Sequence, residues 1–146
     1  MAKTPLDKQI EKARKEAQEN AYKEELRQRA ASIVSSQPII NGVRIIDDTA
    51  ETVLNCLLEN CKDSSTGHVS YDNDIFPQAV SRSIGLEIEK LIQYGMVTSY
   101  IPWANGGMLN LLPCSFSYFE RKATAQAMSL ASTTGEKVDS IIFISH

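Results

Sequence analysis

Apolar residues follow helical spacing in four parts of the chain and strand spacing between them. In residues 1–36 the stripe is thin: Leu6, Ile10, Ala13, Ala17, then Leu26, Ala30 and Ile33. The remaining positions are mostly Glu, Lys, Arg, Gln and Ala, all good helix formers. Opposite charges recur four apart at Glu11/Lys15, Lys12/Glu16, Glu19/Lys23 and Glu25/Arg29, each pair adding a few tenths of a kcal/mol at best. The pattern predicts a long solvated helix. A coiled-coil or docking helix would call for more than alanines along its seam.

"QPIINGVRIID" follows, with Asn41-Gly42 between two Ile/Val pairs. That dipeptide suits a type I′ hairpin turn, which needs positive φ at both central positions. In "DDTAETVLNCLLENC", Ala50, Val53, Leu54, Leu57, Leu58 and Cys61 fall on one helical face. Asp48 is the expected cap, with Glu51 in the capping-box position. "HVSYDNDIF" reads as a short extended piece turning at Asp72-Asn73, and Pro77 suits a first helical turn. Ile84, Ile88, Leu91 and Ile92 predict a second amphipathic helix, stopped by Gly95 in a left-handed cap.

"VTSYIPWANGGMLNLLP" then predicts two strands turning around Asn105-Gly106-Gly107. Pro102 puts the first of them at a sheet edge. Pro113 opens a last helix with Phe116, Phe119, Ala123, Ala127 and Leu130 as its expected seam. Phe76, Phe116 and Phe119 are expected in the core. "STTGEK" is a polar linker, and "VDSIIFISH" reads as a closing apolar strand. The expected organisation is a polar helix over 1–36, a compact unit over 37–131, and a linker with a strand over 132–146. The fold class is mainly α with a small β component (α+β).

Composition narrows the function classes. The 146 residues carry a formal charge of −3, which gives no general pull towards nucleic acid. Residues 35–122 hold six Lys/Arg against ten Asp/Glu. No apolar run approaches the ~20 residues of a membrane span, and the first residues lack the apolar centre of a secretory signal. A cytoplasmic protein with no membrane partner is expected. Cys56, Cys61 and Cys114 are too few for a disulfide scaffold. Their spacing with His68 is unlike a zinc site, so no metal or other cofactor is expected. Ser145 and His146 are adjacent, which in a strand points them to opposite faces, and no acid is set beside them. No catalytic constellation and no small-molecule substrate emerge, and the chain reads as non-enzymatic.

Positions from about Thr49 to Arg121 resemble a winged-helix domain, most closely the small bacterial and phage modules whose wing is followed by "L-T-x-x-G-x-x-Y-F/L". Leu91, Gly95, Met96 and Val97 match the junction between helix and wing. Leu112, Pro113, Ser117, Tyr118 and Phe119 echo the closing motif, with Pro113 and Phe116 standing where that family has Thr and Gly. In the tail, Asp139, Phe143, Ile144, Ser145 and His146 resemble the first strand of bacterial TIR domains. Together these resemblances imply an interaction or regulatory module at the front of a bacterial TIR-type signalling or antiviral defence protein. The glutamate with which TIR enzymes cleave NAD lies in the later part of such a domain, which is not in this sequence. The partner would be another protein or a second copy, with Trp103 and Tyr100 on or near the wing as anchors. The alternative is a DNA-binding regulator of bacterial or mobile-element origin. Arg82, Lys90, Arg121 and Lys122 would then form its basic patch, although Glu87 and Glu89 share the exposed face expected of that helix and the wing tip has no Lys or Arg.

Overall fold

The computed structural model describes the backbone of residues 4–145 and the side chains of residues 4–131. Helix α1 spans Pro5–Ser36. Thr4 opens it with a capping box: the Asp7 amide donates to Thr4 Oγ1 at 3.2 Å, and the Thr4 amide donates to Asp7 Oδ2 at 3.3 Å. Strands β1 (Ile39–Ile40) and β2 (Val43–Arg44) form the expected hairpin, with φ of +47° at Asn41 and +81° at Gly42. Arg44 Nη1 donates to the carbonyls of Val34 at 3.1 Å and Gln37 at 3.0 Å. A cation there satisfies acceptors that the end of α1 leaves open.

Helix α2 (Asp48–Glu59) buries Ala50, Val53, Leu54 and Leu57. Its cap is Asp47, one residue before the expected Asp48, with Asp47 Oδ2 accepting the Ala50 amide at 3.4 Å. Glu51 does not close a capping box but turns towards the last helix. Strand β3 (His68–Asp72) follows, then short 3-10 turns at Asn73–Ile75 and Gln78–Val80. Helix α3 (Ile84–Gln93) ends in a Schellman motif. There the Met96 amide donates to the Leu91 carbonyl at 2.9 Å, and the Gly95 amide to that of Ile92 at 3.0 Å, with Gly95 at φ +80°.

Strands β4 (Val97–Trp103) and β5 (Gly106–Leu111) complete an antiparallel sheet of order β3-β5-β4. β4 is an edge, as Pro102 requires. The turn itself is Ala104-Asn105, so Gly106 and Gly107 belong to the strand rather than the tip. Their role is close approach: a Cβ on Gly106 would lie 2.1 Å from the Tyr71 carbonyl oxygen, and one on Gly107 would lie 2.8 Å from the Tyr71 hydroxyl.

The core joins α2, α3 and the inner face of the sheet: Val53, Leu54 and Leu57 meet Ile88 and Leu91, with Val69, Leu109 and Leu111 beneath. Phe76 is buried among them and Phe119 packs partly buried against them, whereas Phe116 is 40% exposed.

Helix α4 (Pro113–Ser145) closes the unit, but not along the expected seam. Ala123, Ala127 and Leu130 are exposed along with Phe116, while Ser115, Tyr118 and Ala125 are buried and Lys122 is partly so. Two polar residues on the inward face hid it from a hydrophobic count. The backbone continues as helix through Ser145, where a strand was expected. A lone strand has no ladder partner for its amides and carbonyls, whereas a helix satisfies its own. The side chains of the expected tail strand lie outside the described residues.

Candidate interaction site

Two features meet where α1, α3 and β4 converge: a groove with an apolar floor and an edge strand that is bent to line it. The bend is a bulge in β4. Thr98 pairs with Asn110 and Ile101 with Met108, so Ser99 and Tyr100 together oppose Leu109. Ser99 adopts φ +56°, a conformation that costs an L residue roughly 1–2 kcal/mol. The extra residue changes the side-chain alternation and brings Tyr100 to the inner side, where it packs against the core. The neighbouring Tyr71 hydroxyl is buried without a hydrogen bond of good geometry. Burial first, and then the Tyr100 hydroxyl beside it, raise the Tyr71 pKa.

The groove has a volume of about 520 Å³. Leu26, Gly85, Ile92, Tyr100 and Pro102 give it apolar walls, and Glu19, Lys23, Arg27 and Glu89 supply charge. Arg27 and Glu89 bridge α1 to α3 at 3.6 Å, and Gln93 Nε2 donates to the Arg27 carbonyl at 2.8 Å. Beyond Pro102 the edge strand leaves Ile101 51% and Trp103 46% exposed. Of the two expected anchors, Trp103 is therefore at the surface and Tyr100 is a wall of the groove.

The four basic residues expected to form a DNA-facing patch have different surroundings. Lys90 is 3% exposed and Glu87 likewise, which corrects the expectation that both face solvent. Lys90 Nζ lies 2.6 Å from Asp47 Oδ2, 2.7 Å from Glu87 Oε2 and 3.2 Å from Thr49 Oγ1. It cannot reach a phosphate from there. Lys122 is held by Glu51 at 2.7 Å. Arg121 is exposed, with its guanidinium donating to Ser117 Oγ at 3.1 Å and the Cys114 carbonyl at 2.9 Å. Arg82 is exposed.

Lys90 belongs to a polar cluster that fastens the start of α2. The Tyr94 hydroxyl donates to Asp47 Oδ1 at 2.6 Å and accepts the Asp47 amide at 3.3 Å. Burial alone would raise the Asp47 pKa, but hydrogen bonds from Lys90 and Tyr94 and the Lys90 charge outweigh it and hold the carboxyl below its ordinary 3.8. One turn on, the Tyr118 hydroxyl accepts the Ile46 amide at 2.8 Å and donates to Glu51 Oε2 at 2.6 Å. Burial, and then that bond to Glu51, raise the Tyr118 pKa. These groups are committed to one another and to the backbone, which makes the cluster a fastening between elements.

Among the described residues no group of three or more His, Cys, Asp or Glu is arranged to hold a metal ion, and no helix is long and apolar enough to cross a membrane. In comparisons with known proteins, no family model, curated protein or solved structure matches the chain.

Sequence reasoning named Tyr100 and Trp103 but missed the groove. Its α1 wall was legible as the thickening of apolar residues from Leu26 onward. The bulge had no comparable signal, because Ser99 is not a residue type that advertises positive φ.

Proposed function

We propose that the chain is a non-enzymatic interaction module of winged-helix type, and that its protein-binding surface is the outer edge of β4 with the adjoining groove. The observation that carries this is the exposed Ile101–Trp103 strip on an unpaired edge, continuous with the apolar walls at Pro102 and Tyr100. A partly exposed tryptophan beside a concave apolar surface is the arrangement that anchors protein interfaces. The order α2-β3-α3-β4-β5, with β5 between β3 and β4, supports the winged-helix reading.

A photo-crosslinking amino acid at position 103, expressed in the native cell, tests the surface. A discrete protein adduct is expected there and not from the same group at exposed Glu120. No adduct at 103, or one made only with nucleic acid, removes the proposal.

The wider context, a module standing before a TIR-type unit in a bacterial signalling or defence protein, rests on the resemblance of residues 139–146. It is tested in the coding sequence. An in-frame continuation past the His146 codon into a Ser/Asp-rich loop supports it, and a stop codon there removes it.

A further inference from the structure

Three residues around the groove depart from the locally most stable choice. Gly85 stands in the first turn of α3, where alanine is the better helix former. Packing does not call for the glycine: a Cβ there would meet only Leu26 Cδ1, at 3.9 Å, an ordinary contact. Ser99 holds φ +56° in the bulge that turns Tyr100 into the groove wall. Tyr71 reaches across Gly107, the strand neighbour of Pro102, and its buried hydroxyl ends beside Tyr100 without a hydrogen bond of good geometry. Backbone strain and broken local rules gather where a structure serves something other than its own stability. Here they gather around one recess, and Gly85 keeps part of its wall bare.

The recess is poorly made for an added strand. Pro102 has no amide to offer, and the bulge at Ser99 and Tyr100 breaks the even spacing of the edge. A helix needs neither, because it satisfies its own backbone. The α1 wall already presents a helix-packing surface: Glu19, Tyr22, Lys23 and Leu26 stand at i, i+3, i+4 and i+7, one side of two turns. Arg27 is committed to Glu24 and Glu89. That leaves Glu19 and Lys23, one turn apart and of opposite sign, as the charges that meet an occupant.

We propose that the groove receives two turns of an amphipathic helix from a partner protein, with an apolar side chain seated against Gly85 and a base and an acid answering Glu19 and Lys23. This names the partner class for the interaction surface described above and rests on that reading. The apolar side chain supplies the affinity by leaving water against Leu26, Ile92 and Tyr100. The two charges supply selectivity: a partner helix bearing one sign only would set like charge against either Glu19 or Lys23.

The test titrates the whole chain with short amidated alanine-rich helices, read by the amide resonances of Gly85 and Tyr100. Each peptide carries two leucines four apart, flanked by a Lys and a Glu, by two Glu, or by two Lys. The mixed peptide is expected to saturate and to bind roughly threefold or more tighter than either single-sign peptide. Glu19→Lys should move the preference to the two-Glu peptide, and Lys23→Glu to the two-Lys peptide. Gly85→Leu, read at Tyr100, should weaken the mixed peptide roughly tenfold by filling the recess. Gly85→Ala should weaken it less and raise the urea midpoint, which separates loss of the site from loss of the fold. No saturable shift, equal affinity for all three peptides, tighter binding of an extended Val/Thr-rich peptide, or a lower midpoint for Gly85→Ala would each overturn the proposal. A protein adduct at position 103 alongside any of these leaves the interaction surface in place and removes only the helical partner.

Discussion

Glu24 and Arg27 on α1, and Glu87 and Lys90 on α3, are both acid–base pairs three residues apart on a helix. On α1 the groups lie 3.7 Å apart with both side chains more than half exposed. On α3 they lie 2.7 Å apart and both are almost wholly buried. The spacing is shared and the surroundings are not. At the surface, water and salt screen the pair and long side chains resist being held, leaving at most about 1 kcal/mol. Under α2, Lys90 also serves Asp47 and Thr49, and removing it strands two carboxylates away from water. The same local motif is a solvated decoration in one helix and a fastening in the other.

The comparison can be broken most directly at Lys90. Lys90→Met keeps much of the volume but leaves Asp47 and Glu87 facing one another without a cation. A loss of about 3–5 kcal/mol is expected in urea unfolding. A loss near zero would mean that the buried ammonium contributes nothing net.

Tyr118→Phe comes next. It removes the hydroxyl that accepts the Ile46 amide and donates to Glu51, leaving a buried donor unsatisfied. About 1–3 kcal/mol should be lost, and amide exchange at Ile46 should accelerate.

Acid sharpens the same contrast. The Asp47 pKa is lowered in the folded chain, so its contribution is fully present above its ordinary value of 3.8 and is lost as pH falls through the folded value. Asp47→Asn retains a good helix cap but surrenders the charge. A gap on the order of 1 kcal/mol from wild type is expected at neutral pH. That gap should narrow below pH 3.8. A constant gap across the acid range would assign the loss to shape rather than charge. The smallest effect belongs to the surface pair: Glu24→Gln should change stability by no more than about 0.5 kcal/mol.

Much of the local structure was legible in the residues. Asn41-Gly42, the α2 face from Ala50 to Leu57, the Gly95 stop and the edge position of Pro102 all follow from short-range chemistry, namely positive φ, helical period and a missing amide. The α4 seam was misread because Ser115 and Lys122 occupy inward positions that a hydrophobic count passes over. Gly106 and Gly107 were assigned to a turn when their purpose is to let Tyr71 approach across the sheet. The groove needs α1, α3 and β4 together, with lining residues running from Glu19 to Pro102, and no local pattern encodes that meeting.

Taken alone, the sequence determined the turn at Asn41-Gly42, the buried face of α2 and the stop of α3 at Gly95, because those choices are settled within a few residues by backbone sterics and side-chain period. Only the tertiary structure decided which charges leave water. Lys90 and Lys23 are the same residue type, each next to a glutamate on a helix. Desolvation depends on what the rest of the chain stacks over a position, and over Lys90 it stacks Asp47, Thr49 and Glu87.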